Sequence, residues 1–436
     1  MRVLMTSVWS THFLPMVPTG WALRAAGHDV RVAVQPAHAD VVATSGLPLT
    51  VVGRDVEVIR RRGGDGAAAN GGARAAGAGP AAGDGDGQAR VGGQANGNGD
   101  APASGGARRS GGDGSGAGKG GGVPRERIVR AVGTFVGVAD AMADDLVGLS
   151  RAWRPDLIVH DPLTFAGPLT AAVLGVPAVR HLWGADMTAG QADTQASLLA
   201  EVPLFWELLE RFGLSELEDL GTLTLDPCPP SVQLPAALPR QNVRFVPYNG
   251  PGVQPPWAAG LPPAPRVCVT WGSTVARFAG QIPFPAGRAV EAAVALGAEV
   301  IVATTSDQLP ALPDGVRVAE SVPLHMLLPA CSAIVHQGGG GTTLTALRHG
   351  VPQLVMGQLP DHAFHASRVA AAGAGIALDP ALAEPQAIRE ALSALMGDPS
   401  YGAAAGRVRL EMARQPAPTQ VVGVLERLAA SGAEAA

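Results

Sequence analysis

Residues 333–346 read Ala-Ile-Val-His-Gln-Gly-Gly-Gly-Gly-Thr-Thr-Leu-Thr-Ala. A β-branched run enters four glycines and leaves through two threonines into an Ala/Leu-rich segment, the pattern of a strand, a tight turn and a helix N-terminus. Such a turn offers free backbone N–H groups and the positive end of a helix to an anion, and glycine lets phosphate oxygens come close. Four successive glycines are costly where nothing binds, so Gly338, Gly339, Gly340 and Gly341, with Thr342, form a candidate anion cradle. No Gly-x-Gly-x-x-Gly follows the first strand and no Gly-x4-Gly-Lys-Ser/Thr occurs, so dinucleotide and P-loop readings are poor. The second candidate is His12, in Ser10-Thr11-His12-Phe13-Leu14-Pro15, between the first β-branched run and the first helix. Imidazole is the side chain best suited to take a proton from a hydroxyl of high pKa. A base of this kind commonly leans on a carboxylate, and Asp161, at the end of the strand-like run 157–160, is the candidate. His160 and His181 read as core or pocket residues. Asp84-Gly85-Asp86 imitates an Asp-x-Asp metal site within a repetitive tract, and no metal is expected.

These groups need elements to hold them. RVLMTSV at the N-terminus and 29–34 read as strands, with a helix ending near Gly27 between them. Residues 125–153 keep apolar positions at helical spacing, among them Ile128, Val132, Phe135, Val136, Ala139, Met142, Leu146 and Leu149. Strand 156–160, helix 165–174 and strand 177–182 follow. The pattern pauses in PYNGPGVQPPWAAGLPPAP, a Pro/Gly-rich linker within 246–265, then restarts with strands at 266–270, 299–303, 316–319, 333–335 and 353–356. Strands alternating with helices predict two α/β domains with parallel sheets, and a ligand cleft at the carboxyl ends of their strands. Residues 63–122 contain no Leu, Ile, Phe, Met, Trp or Tyr and a single Val91, too little apolar surface to offset ordering, and read as a flexible insertion.

Composition narrows the function classes. Of the 436 residues, 47% are hydrophobic and 16% charged, with a net charge of −5, which argues against a nucleic-acid or polybasic membrane partner. Cys228, Cys268 and Cys331 stand apart without a Cys-x-x-Cys pair, so neither a disulfide scaffold nor a zinc finger is expected. The polar residues of MRVLMTSVWSTHF do not suit a signal peptide, and no uninterrupted apolar run suits a membrane span. A cytoplasmic location without membrane insertion is the expectation.

Further motifs complete the picture: Thr270-Trp-Gly-Ser-Thr274, Glu320-Ser-Val-Pro-Leu-His325, Gly350-Val-Pro-Gln353, Leu359-Pro-Asp-His362, Ser367-Arg-Val369 and Ala372-Gly-Ala-Gly375. Together with the glycine turn, they make the C-terminal half similar to the donor domain of two-domain (GT-B) nucleotide-sugar glycosyltransferases. Within that group the chain resembles bacterial antibiotic and macrolide (polyketide) TDP-deoxysugar transferases, whose usual string is HHGGxGT, GVPQ, a DQ pair and xRVxxxGAG. The phrases Leu225-Asp-Pro-Cys-Pro-Pro-Ser231 and Val246-Pro-Tyr-Asn-Gly250 share this likeness, which spans the chain apart from 63–122.

The resemblance implies two Rossmann-like domains facing each other across a cleft: 1–245 for the acceptor, a linker at 246–265, and 266–436 for the donor, its last helix packing back on the first domain. It implies that Val322 and Leu324 frame a pyrimidine, that Gly338 to Thr342 with Ser273 hold a diphosphate, and that Asp361 accepts bonds from sugar hydroxyls. It implies that His12 is the general base and that Trp183, Phe205 and Trp206 line the acceptor site. Gln337 and His362 depart from the pattern, standing where such enzymes usually have His and Gln. Gln337 can donate a hydrogen bond but carries no charge to a leaving phosphate. The implied reaction is inverting transfer of a deoxysugar from a TDP-sugar to a hydroxyl of a polyketide-type acceptor, without a cofactor. A homodimer and an auxiliary activator protein are compatible with it. The alternatives are a non-catalytic partner of another transferase, a lipid-linked sugar transferase and a UDP-sugar epimerase.

Overall fold

The computed structural model describes residues 1–56, 124–188, 192–260, 262–272, 285–304 and 312–435. Ser273, Asp84, Asp86 and the expected insertion at 63–122 lie outside them. In chain order the first half contains β1 (Arg2–Thr6), α1 (Ser10–Phe13), α2 (Val17–Ala25), β2 (Asp29–Val34), α3 (Ala39–Ala43), β3 (Leu49–Val51), α4 (Arg125–Trp153), β4 (Leu157–His160), α5 (Ala166–Leu174), β5 (Ala178–His181), α6 (Ala192–Ala200), α7 (Pro203–Arg211), β6 (Leu223–Asp226) and β7 (Arg240–Asn242). The strands form one parallel sheet in the order β3-β2-β1-β4-β5-β6-β7. The second half contains β8 (Arg266–Val269), α8 (Ala286–Ala295), β9 (Glu299–Val302), β10 (Arg317–Val318), α9 (Leu324–Leu327), β11 (Ala333–His336), α10 (Gly340–His349), β12 (Gln353–Val355), α11 (Pro360–Ala371), β13 (Gly375–Ala377), α12 (Pro385–Gly397), α13 (Pro399–Arg414) and α14 (Pro418–Ala435). Its sheet is also parallel, ordered β10-β9-β8-β11-β12-β13.

β1, β4 and β5 are buried over nearly their whole length because helices cover both faces of the sheet, which is why they read as continuous apolar runs. α4 buries Val136, Ala139, Met142, Ala143, Leu146 and Val147 along one face, packed on α5 and α7. Each such large side chain contributes roughly 1.5–3 kcal/mol of burial. α4 stops where Arg154 turns into the left-handed region at φ 54°.

The order of each sheet reverses once. From β1 the chain builds outward through β2 and β3, then returns to place β4 on β1's other edge; β8 is flanked in the same way by β9 and β11. At these two switch points the carboxyl ends of adjacent strands diverge and leave a crevice. The first opens beside residues 7–12 and Asp161, the second beside Thr270 and residues 337–341.

The halves interlock. Ala185, Cys228, Val232 and Phe245 share an apolar cluster with Leu344, Leu347, Ala366 and Val369. The Arg368 guanidinium donates to the carbonyls of Val232 and Gln233, at 2.8 and 3.3 Å. α14 returns to the first half, where Val421, Val422 and Leu425 enter the core beneath α2.

Candidate active site

Both crevices open onto one cavity of about 390 Å³, lined from the first half by Thr11, His12 and Trp183 and from the second by Val322, Leu324, Gln337 and Gly339 to Thr342. On the first side, β1 ends at Thr6 in register with His160 of β4, so the segments after the two strands meet. Asp161 is fully buried there. Its Oδ2 accepts from Ser7 Oγ at 2.7 Å, Val8 N at 3.0 Å and Thr164 Oγ1 at 2.5 Å, and its Oδ1 from Leu163 N at 2.9 Å. His12 Nδ1 lies 3.3 Å from Oδ1. Burial alone would raise the carboxyl's pKa, but the His12 bond and charge, with the Thr164 and Ser7 hydroxyls, outweigh it and hold it down to about 2. An ionised Asp161 requires the proton on Nδ1, which makes Nε2 the basic nitrogen of the imidazole. The ring stacks on Trp183 at 3.7 Å and 7° and makes a T-shaped contact with Trp9 at 4.9 Å.

The second side is built around a histidine that does no acid–base work. His336 ends β11 fully buried; its Nδ1 accepts from Gly338 N at 3.0 Å and its Nε2 lies 2.8 Å from Gln353 Oε1. Burial pulls its pKa down to about 4 against the Gln353 bond, so the ring is neutral and Nε2 is the donor. The His-Gln-Gly and Gly-Val-Pro-Gln motifs are thus two ends of one latch that shapes the glycine turn. Gly338 has φ 99°, and a side chain there would meet the His362 carbonyl at 2.7 Å. Gly340 is required by close approach, since a Cβ would fall 2.6 Å from the Trp183 carbonyl. At Gly341 an added Cβ meets nothing within 4 Å. The first N–H groups of α10 have no partner within the helix and carry its positive end.

The pyrimidine-framing candidates sit on the same cavity. Ser321, at φ 57°, turns the chain so that Val322 and Leu324 line the wall. Asn249 of the linker secures that wall: its Oδ1 accepts from His325 N at 3.1 Å, and its Nδ2 donates to Thr345 Oγ1 at 3.2 Å.

Residues 21–71 and 126–272 match the family described as "Erythromycin biosynthesis protein CIII-like, N-terminal domain", and residues 287–428 match its C-terminal domain. The chain is 37% identical over 447 residues to the 10-deoxymethynolide desosaminyltransferase of Streptomyces venezuelae, covering 99% of this chain and 97% of that protein. The chain is a glycosyltransferase of the erythromycin biosynthesis protein CIII-like family. This transferase is also 36% identical to the TDP-daunosamine transferase DnrS of Streptomyces peucetius, over 99% of its length and 97% of the relative's. Its fold matches that of spinosyn rhamnosyltransferase SpnG complexed with thymidine diphosphate, with a TM-score of 0.74 at 30% identity, covering 98% of this chain and all of that one. The two-domain GT-B architecture is therefore established.

The transferase gathers His12, Trp183, Val322, Leu324, Gln337, Gly339, Gly340, Gly341, Thr342 and His362 around the cavity, with Asp161 behind His12. Gln337 and His362 are each 3% exposed; Gln337 Oε1 and His362 Nδ1 have no hydrogen-bond partner. Burial lowers the His362 pKa. Asp361 lies one step away, on an adjoining space of about 20 Å³ shared with Trp183 and His365. Phe205 and Trp206 are not brought to either space. Phe205 belongs to the core under α4, and Trp206 is half exposed, its indole N–H donating to the Ala200 carbonyl at 3.0 Å. The expectation that they line the acceptor site is corrected: Phe205 packs in the core because α7 turns its apolar face to α4, and Trp206 sits on the surface away from both spaces. Sequence reasoning missed His365, whose Nδ1 is 2.9 Å from the Gly338 carbonyl, and Asn249, which it placed only within a linker motif. Among the described residues no cluster of three or more His, Cys, Asp or Glu could hold a metal, and no helix is long and apolar enough to cross a membrane.

Proposed function

We propose that this transferase moves a deoxysugar from a TDP-sugar, with inversion, to a hydroxyl of a polyketide or macrolide aglycone. The observation that carries the reading is the convergence of the Asp161–His12 pair and the glycine turn on one cavity, from opposite domains. His12 Nε2 takes the acceptor's proton as its oxygen attacks the anomeric carbon. The bond from that carbon to the diphosphate oxygen breaks, and its electron pair leaves with TDP. Attack from the side opposite the leaving group inverts the anomeric centre. Asp161 keeps the proton on Nδ1 and stabilises the imidazolium as it forms. The N–H groups of the turn and the α10 dipole meet the charge on the departing diphosphate, with Gln337 and His362 as neutral donors beside them. In this reading no metal is required. Val322 and Leu324 hold the thymine through apolar contact and backbone groups. The TDP donor is supported by the names of DnrS and of the SpnG complex, and the acceptor class by the desosaminyltransferase that acts on 10-deoxymethynolide. A cytoplasmic location belongs to the same reading and agrees with three free cysteines.

The test is mass-spectrometric detection of glycosylated product from an array of TDP-deoxysugars and macrolide or polyketide aglycones. A product that disappears with His12→Ala supports the reading. Tight TDP binding without transfer to any acceptor overturns it in favour of a non-catalytic partner.

A further inference from the structure

We infer that Trp183 is a positioning residue that sets the plane of the base His12 and ties it to the donor cradle, rather than only lining the acceptor pocket. The inference rests on the transfer reaction proposed above. A hydrogen bond from Nδ1 to Asp161 fixes one atom of the imidazole but leaves the ring able to swing about that bond. The indole removes this freedom. It stacks on the imidazole with centroids 3.7 Å apart and planes 7° from parallel, while Trp9 makes a T-shaped contact with the same ring at 4.9 Å. An aromatic face against imidazole also favours the cation that forms as the base takes its proton.

The same residue touches the second domain. A Cβ on Gly340 would stand 2.6 Å from the Trp183 carbonyl and 2.8 Å from its Cδ1, and one on Gly184 would meet His365 Nε2 at 2.5 Å. The loop after β5 therefore rests directly on the first turn of α10 and on α11. It is a rigid support: Arg180, fully buried, pairs with Asp186 at 2.6 Å and donates to Thr188 Oγ1 at 2.8 Å, and Asp186 N donates to Gln233 Oε1 at 2.9 Å. A shift of α10 as its N-terminus takes up diphosphate is passed through Trp183 to the plane of His12. The donor domain in this way reports its occupancy to the base on the acceptor domain.

Two variants test this with the full-length protein. Trp183→Leu keeps apolar bulk without an aromatic face, and Trp183→Phe restores the face. At saturating TDP-sugar and acceptor, Trp183→Leu is expected to lower kcat by about 10- to 100-fold and to move the acid limb of kcat to lower pH by about half a unit or more. Trp183→Phe recovers most of both. Among the described residues, the titratable groups facing the pair are Asp161 from the β4 turn and Asp361, His362 and His365 from α11, and all remain in both variants. A second readout needs no turnover: the His12 ring protons, followed by NMR, shift on addition of TDP in the wild type and in Trp183→Phe, and not in Trp183→Leu. Raised acceptor KM with unchanged kcat and acid limb would overturn the inference, leaving Trp183 a pocket wall. So would a TDP-induced shift that persists in Trp183→Leu. A wild type that transfers no sugar yet shows the TDP-dependent shift would instead fail the proposed reaction and keep the coupling.

Discussion

Replacing His12 by alanine separates chemistry from architecture because of what the change leaves behind. Asp161 loses the His12 bond but keeps four donors, from Ser7, Val8, Leu163 and Thr164, so no unpaired buried charge results. The imidazole's stack on Trp183 and its edge contact with Trp9 are lost, at a cost of about 1–2 kcal/mol of stability, a shift in Tm of about 2–8 °C for domains of this size. The donor wall belongs to the other domain, and TDP affinity should stay within about threefold by calorimetry. The rate should not survive so well. A positioned general base contributes about 10²- to 10⁴-fold, or roughly 3–5.5 kcal/mol of barrier, and kcat should fall by that factor with an aliphatic alcohol as acceptor. The wild-type rate should decline on acidification, as expected where an imidazole acts as the base, and the variant should lose this limb. An acidic phenol as acceptor should suffer less, since less proton removal is needed. An alanine variant with transfer within threefold of wild type, or one that keeps the acid limb, would refute the assignment.

Asp161→Asn should lower kcat at least a hundredfold while leaving TDP affinity unchanged. It should also flatten acid stability: the carboxyl's pKa is lowered from 3.8 to about 2, so its stabilisation is complete above the ordinary value and is lost as pH falls through the lower one. Wild type should thus lose roughly 2 kcal/mol more than the variant between pH 5 and pH 2 in urea titrations, and parallel loss would count against the pairing. Gly341→Val should reduce TDP affinity well over tenfold with Tm nearly unchanged, because its side chain enters open space above the α10 N-terminus; unaltered calorimetry would remove the phosphate from this turn. Gln353→Leu should destabilise the protein by about 1–3 kcal/mol, by leaving the His336 donor unpaired, and weaken TDP binding severalfold; a glycine turn that binds TDP normally in this variant would show that the latch is dispensable.

Much of this was readable from the chain because buried parallel strands are continuous apolar runs: residues 2–6, 157–160 and 333–336 declare themselves, and so do the glycines and the histidine that follow them. β6 and β7 were not readable. Leu223–Asp226 is short and ends in an acid, and Arg240–Asn242 holds no apolar residue; the pair is explained only by Arg240 meeting Asp226 at 3.2 Å inside the fold. Burial is the leading influence on Asp226 and raises its pKa to about 6, against the pull of Arg240, a relation between residues fourteen apart that local patterning cannot carry. The role of His336 was hidden for a similar reason, since its partner Gln353 stands seventeen residues further along the chain. Phe205 and Trp206 look like pocket aromatics because an amphipathic helix has the same periodicity whether its apolar face meets a core or a ligand. Trp183 and His365 matter through partners on the opposite domain, and such contacts have no signature in either segment alone.

The return of α14 to the first domain has a practical consequence for anyone recombining enzymes of this kind. The protein is not two beads on a string, because the chain passes between its halves twice, through 246–265 and again ahead of Pro418. A chimera spliced once, within the linker, would give the acceptor domain a foreign terminal helix and force three alien side chains into the sites now filled by Val421, Val422 and Leu425. The exchangeable unit is the segment between the two crossings. A donor domain should be transplanted as an insert from the linker to about residue 417, with the recipient keeping its own C-terminus.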